Sequence, residues 1–366
     1  MIFKKNKYLV LVIALIILAS CSTTSKHLQV DSIESIRHSS KDFQEMLAYQ
    51  NFSLNDLKAI QGMIDRDNFN KEQLQNAKVL KNNYQKLLSK NKYTIELKFN
   101  QQYSKEIIKL IYKSNLPVKI LWDEKNQNSL PGNLFSDKIN GFCSSIYNDA
   151  ISSINDAIIR RSDPILIIFS KKYEPFIKEI KSGNLNYIAK QYDSNNSQEF
   201  AAEVLGVNFS EKRFNKISSL NPNQNLNFVP RPRHDLTQVI VLLNPQEYKS
   251  MIPALRYHGG NNFEYFNFIS SIEDIINPLQ LLDYEDSWTP ISQYLKTKIQ
   301  KDRSISLEKF FELGALHEWL LLQLFKQAGV QSAEINGVTG SIIFKSNSCS
   351  KRIIPLQKIS TDLISS

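Results

Sequence analysis

Ile165-Leu166-Ile167-Ile168-Phe169 is apolar at every position, and Pro164 introduces it. Five residues are too few for a helix. Without polar alternation, the run suits a parallel strand covered on both faces. Val239-Ile240-Val241-Leu242-Leu243 repeats the pattern. Between the two runs lie a helix over Tyr173–Lys181, a turn at Ser182-Gly183-Asn184, a strand over Tyr187–Tyr192, and helical pieces at Phe200–Leu205 and Glu211–Ile217. After the second run, Tyr248, Met251, Ile252 and Leu255 fall at i, i+3, i+4 and i+7 of a helix. Gly259-Gly260 stops that helix, and Phe263–Phe268 reads as another strand. Strand and helix alternating at this spacing predict right-handed crossovers and a parallel sheet, hence an α/β fold.

The alternation is weaker upstream. Thr94–Phe99 and Pro117–Trp122 read as strands around a helix at Ser104–Lys113. Residues 123–140 are rich in Asn, Gly, Pro and Ser and read as loop, and Asp149–Arg160 reads as helix. Residues 32–90 hold no strand pattern. Leu54, Leu57, Ile60 and Ile64 share a helical face behind a Ser53 cap, and Leu74, Leu80, Tyr84 and Leu87-Leu88 mark a second helix. Downstream, Leu307–Phe325 is the longest helix, with Leu307, Phe310, Phe311, Gly314, Leu321, Leu324 and Phe325 as its buried stripe. A turn at Asn336-Gly337 and Gly340 leads to strand-like pieces at Ser341–Phe344 and Arg352–Leu356. The expected organisation is a leader (1–20), a tether (21–31), a short helical region (32–92), a reduced first α/β lobe (93–160), and a second α/β lobe carrying the crossing segments and the C-terminal helix and strands (161–366).

The leader has Lys4, Lys5 and Lys7 before an apolar run from Tyr8 to Leu18, about half of the ~20 residues a spanning helix needs. Basic start, short apolar centre and small residues before a cut site describe a secretory signal peptide. Leu18-Ala19-Ser20-Cys21 resembles a bacterial lipobox, which implies that Cys21 is acylated and becomes the first residue. The plainer alternative is an N-terminal anchor helix with an incidental cysteine. Acyl chains contribute about 0.8 kcal/mol per buried methylene, enough together to hold a soluble domain at a membrane. Ser22, rather than an Asp, follows Cys21, which by the same resemblance implies the outer membrane facing the periplasm.

The remaining chain is long enough for two ordinary domains. Its 42% hydrophobic and 22% charged residues suit a soluble globular protein. The formal charge of +9 includes three leader lysines, leaving about +6, with no dense basic cluster interleaved with aromatics to suggest nucleic acid. Besides Cys21 there are only Cys143 and Cys349. An oxidising compartment permits a disulfide between them, but their distance along the chain leaves open whether they meet. Two cysteines without paired spacing do not form a zinc site.

No catalytic constellation stands out. The histidines are His27, His38, His234, His258 and His317. His317-Glu318 starts like a zinc-protease helix, but Leu321 replaces the second ligand, so His317 reads as a packed residue. Ser144-Ser145 and Ser152-Ser153 lack a nucleophile-elbow context, and no glycine-rich phosphate loop follows a strand. The expectation is a protein without enzymatic activity, metal or cofactor. Phe228-Val229-Pro230-Arg231-Pro232-Arg233-His234-Asp235 reads as a rigid extended approach to the second apolar strand, with arginines available to carboxylates. A contact with an anion or a partner is the alternative role.

Several motifs in order resemble one family. They are Tyr192-Asp193, Phe200-Ala201-Ala202, Leu205-Gly206-Val207, Ser210, Arg213 and the Phe228–Asp235 approach. Then follow Asn244-Pro245, Ile252-Pro253-x-Leu255, Trp319, Asn336-Gly337-x-Thr339-Gly340-Ser341, Cys349 and Arg352. Residues 165–358 resemble the LppC family of lipoproteins, penicillin-binding protein activators of the LpoA type. Two departures are plain. Ala315-Leu316-His317-Glu318 stands where the family has Gly-x-Asp-Ala, and the family's long helical-repeat domain is here reduced to about 60 residues. The resemblance implies a type I periplasmic-binding-protein-like fold, with two lobes around a cleft. It also implies an outer-membrane lipoprotein that binds and activates a bifunctional peptidoglycan synthase. A lipid-anchored solute-binding protein of the same fold is the alternative, because fold alone does not fix function.

Overall fold

The Ile165–Phe169 run is strand β3 of a six-stranded sheet, and all five of its residues are buried. The computed structural model describes residues 71–364 and a few positions between 57 and 65. It leaves short breaks at 99–101, 124, 126–129, 159–163, 182–185, 194–195, 221–226, 273–274, 276 and 302–305. The leader, Cys21, the tether and the helical region before residue 57 lie outside the described residues. Leu57 and Ile64, from the expected first helical face, pack against the core.

Around β3 run β4 (Tyr187–Gln191), β5 (Gln238–Leu242), β6 (Glu264–Asn267) and β7 (Ser287–Pro290), all parallel. The spatial order is β11-β7-β6-β5-β3-β4. Its five parallel strands therefore follow the doubly wound 2-1-3-4-5 order. Ile167 faces Ala189 on one side and Ile240 on the other. A last strand, β11 (Leu356–Lys358), closes the far edge antiparallel to β7. Helices α4 (Glu174–Lys181), α5 (Ser197–Val204), α6 (Val207–Leu220), α7 (Pro245–Tyr257) and α8 (Gln293–Lys301) connect the strands. The expected periodic face of α7 holds: Tyr248, Met251, Ile252 and Leu255 are all fully buried. Asn244 and Glu247 start that helix as a reciprocal capping box.

The second sheet is small. β1 (Tyr93–Leu97) and β2 (Val118–Trp122) pair in parallel from Tyr93 opposite Val118 to Leu97 opposite Trp122. Helices α1 (Lys71–Ser89) and α2 (Ser104–Ser114) flank it, and α3 (Ile146–Ile158) follows the 123–140 loop. The long helix α9 (Leu307–Gln327) packs on α2, α1 and β1. This corrects the expectation that the C-terminal helix belongs to the second lobe. Gln327 of α9 does the work of a missing neighbour strand. Its side-chain oxygen accepts from Thr94 N at 2.9 Å, and its amide donates to Thr94 O at 2.7 Å. Where a stripe is expected, the middle of α9 is buried nearly all round, with Leu316, Trp319, Leu320 and Leu322 added to it.

After α9 come three antiparallel strands, β8 (Ser332–Asn336), β9 (Ser341–Lys345) and β10 (Lys351–Ile353). The expected single strand over Arg352–Leu356 is two strands in two sheets. Pro355 interrupts the run, and the chain leaves β10 for the large sheet at β11. The chain thus passes between the lobes three times, before β3, before α9 and before β11. The short helix α10 (Thr361–Ile364) ends on α8.

Candidate functional site

In a doubly wound sheet the natural ligand site is the crevice beyond the C-terminal strand ends, where the strand order reverses. Here that point lies between β3 and β5. Tyr173 follows β3 directly and Phe268 follows β6, and both are fully buried. Tyr147 of α3 lies 4.8 Å from Phe268 and 5.9 Å from Tyr173, centroid to centroid. Phe176 of α4 lies 5.2 Å from Tyr147, edge to face. Phe135, from the 123–140 loop, lies 6.1 Å from Tyr147 and stacks on Phe311 of α9 at 5.1 Å. Six rings from five segments thus fill the junction of the lobes, in the offset and edge-on geometries that aromatic pairs favour. Beside them, Tyr248 accepts from Phe268 N at 2.6 Å and donates to Val241 O. Burial pushes its phenol pKa far above the ordinary value.

A second buried centre explains the glycine-rich motif. Glu318 of α9 is fully buried. Its Oε1 accepts from Thr339 N at 2.9 Å, and its other oxygen accepts from the Thr339 hydroxyl. A Cβ on Gly337 would stand 2.2 Å from Glu318 Oε1, so a glycine is required there. Gly340 has φ +147° and lies against Ile353 O, and Gly337 N donates to Gly340 O at 2.9 Å to close the turn. Asn336-Gly337-x-Thr339-Gly340 is therefore a cradle for the buried Glu318 carboxylate.

Arg352 of β10 connects this cradle to α3. It donates to Asp149 Oδ2 at 3.0 Å and lies 4.1 Å over the Phe142 ring. Asp149 also accepts from Ser144. Burial raises the Asp149 and Glu318 carboxyls, and the Arg352 guanidinium draws both back down. One buried cation thus serves two buried carboxylates, an arrangement that strongly penalises removal of any member.

Cys143 and Cys349 form a disulfide beside the cluster, with Cα atoms 4.9 Å apart. Cys143 N donates to Ser350 O at 2.9 Å, and Ser350 N donates to Gly141 O at 2.8 Å. The bridge and the Arg352–Asp149 pair fasten the same two segments.

The Phe228–Asp235 approach lies on the surface along α6. Arg233 N donates to Leu205 O at 2.8 Å, and the Arg233 guanidinium grips Asp235 with two hydrogen bonds, at 2.9 and 2.5 Å. That pairing holds the Asp235 carboxyl below its usual range. Gly206, at φ +74°, turns the chain from α5 into α6 against the Arg233 stem. Phe228 stacks on Phe214 at 4.4 Å. A groove of about 680 Å³ between α6 and the approach is lined by Lys190, Arg213, Arg231, Arg233 and His234.

His317 sits on α9 with its pKa pushed down to about 4 by burial, so its ring is neutral at physiological pH. Among the described residues no group of three or more His, Cys, Asp and Glu side chains is placed to hold a metal, and no helix is long and apolar enough to cross a membrane. Asp149, Tyr147, Tyr173 and Phe268 carried no sequence signal for their roles, because their partners come from distant segments.

No family model and no curated protein matches the chain. Among solved structures, an ABC transporter permease from the Pseudomonas fluorescens group is similar over 75% of this chain and 94% of that one, at 10% identity and a TM-score of 0.32. A likeness of that degree says nothing about function. The chain is an α/β protein with a six-stranded, mostly parallel sheet.

Proposed function

We propose that this protein is a non-enzymatic outer-membrane lipoprotein, anchored through Cys21, that binds and activates a bifunctional peptidoglycan synthase from the periplasmic side. The motifs from Tyr192 to Arg352 suggest the family. The observation that carries the reading is the crevice, where Tyr147, Tyr173, Phe176 and Phe268 occupy the position at which a solute binder holds its ligand. With its lobes fastened by aromatic packing across the crevice, the molecule presents surface there rather than a cavity. Activation then proceeds by surface contact that favours the synthase's active conformation.

Crosslinking in intact cells, followed by purification of the tagged protein from membranes, tests this. A bifunctional synthase should be recovered covalently attached, and the attachment should fall when Cys21→Ser removes the anchor. Recovery of no synthase at all contradicts the reading.

A further inference from the structure

Helix α6 packs on α5 and is little buried: of its 14 residues only Val207 is buried. Its inner side is accounted for. Val207 anchors it, Phe214 stacks on Phe228, and the Ser210 hydroxyl faces Arg231 N at 3.4 Å. Phe209, Lys212, Arg213, Lys216, Ile217 and Leu220 stand at i, i+3, i+4, i+7, i+8 and i+11, which places all six on one helical face. Every one of them is exposed. Phe209 is 66% exposed, Ile217 50% and Leu220 79%, although isolated surface apolar residues are seldom aligned in this way. Glu211, the only acidic residue of α6, lies off that face. Beside it the groove adds Lys190 and Arg231, with Glu203 as the acidic residue of its lining.

We propose that this face of α6 docks an acidic segment of a protein partner, in which carboxylates alternate with apolar side chains. The inference rests on the activator reading for the identity of the partner, the synthase. Three features select this occupant. The face extends about 16 Å from Phe209 to Leu220, too long for a single phosphate or carboxylate and suited to a peptide segment. Its charge is of one sign, and arginine with lysine recognises carboxylates. Its apolar residues are interrupted by Lys216 and Arg213 rather than gathered into a wedge. A helix that enters a lipid interface instead segregates its apolar residues from its cations.

The test uses the full-length protein in detergent and each purified bifunctional synthase of the same cell. Dissociation constants are measured for wild type, for the Lys212→Glu/Arg213→Glu/Lys216→Glu variant, and for Phe209→Ser/Ile217→Ser. All substituted side chains are exposed, so the melting temperature should not move. Charge reversal should weaken synthase binding about thirtyfold or more, and the apolar variant about tenfold. A synthase that binds wild type and charge-reversed protein equally overturns this surface and leaves the activator reading standing. Failure of wild type to bind any bifunctional synthase overturns both. Vesicles of phosphatidylglycerol and phosphatidylcholine form the second arm. Vesicle binding lost on charge reversal, with synthase affinity unchanged, makes the face a membrane contact and overturns the proposal.

Discussion

Strand β5 and helix α6 are separated by less than 20 residues, yet they treat apolar side chains in opposite ways. Every residue of β5 is buried, and its two neighbours shield both edges. Helix α6 turns Phe209, Ile217 and Leu220 to solvent and keeps only Val207 inside. Apolar surface stabilises a fold only where it leaves water, at about 25 cal/mol per Å². β5 is therefore part of what makes the protein fold. The face of α6 contributes almost nothing to folding, so its composition has a different cause. The contrast predicts that substitutions in the two elements affect different measurements.

The largest effect belongs to the sheet. Val241→Asp places an unpaired carboxylate in a fully buried strand and should cost about 4 kcal/mol or more in denaturant unfolding. A variant that melts like wild type would mean that β5 is not central. Next comes the ion cluster. Glu318→Ala leaves Arg352 with one carboxylate and Thr339 without its acceptor, and should cost about 3 kcal/mol. An unchanged midpoint would remove the cluster from the account.

The disulfide ranks third. Cys143→Ala/Cys349→Ala should lower stability by about 2–3 kcal/mol, with thiol titration confirming that wild type carries no free thiol at these positions. Smaller still is the effect of His317. Burial lowers its pKa from 6.5 to about 4, so the neutral ring is the form the fold accommodates. The associated stability is complete above pH 6.5 and is lost as pH falls toward 4, by about 2 kcal/mol. His317→Leu should flatten that loss in thermal scans at pH 7 and pH 4.5. An identical pH dependence in the variant would assign the effect elsewhere. The smallest stability effect belongs to α6, where Phe209→Ser should stay within about 0.5 kcal/mol of wild type.

The two apolar strands were legible because five consecutive apolar residues have few alternatives. The face of α7 was legible from its 3.6-residue spacing. β7 was not, since Ser287-Trp288-Thr289-Pro290 has no apolar run. It is held instead by Asn267, which donates to Ser287 Oγ at 2.5 Å and to Thr289 Oγ1 at 2.9 Å. β8 was hidden in the same way, because Ser332-Ala333-Glu334-Ile335-Asn336 is a half-exposed strand. The placement of α9 was misread because a helix buried all round gives no direction in sequence. Asn336–Gly340 is visible as a turn motif in the sequence, but its partner, the Glu318 carboxylate, comes from a helix 21 residues upstream of Thr339 and gives no local signal. The aromatic junction is not legible in the sequence, since its six rings come from five separate segments. The Phe228–Asp235 approach was read as rigid and extended with arginines available to carboxylates, and Arg233 takes Asp235.

The proposed activity, stimulation of a synthase through surface contact, can be measured directly. The direct measurement is the rate of glycan polymerisation and crosslinking by a purified bifunctional synthase of the same cell, on lipid-linked precursor, as the full-length protein is added in detergent. The account predicts a rate that rises and saturates once the two proteins are equimolar. It also predicts that the charge-reversed α6 variant requires higher concentrations for the same rise. A rate that stays flat at excess protein, for every bifunctional synthase of the cell, contradicts the account.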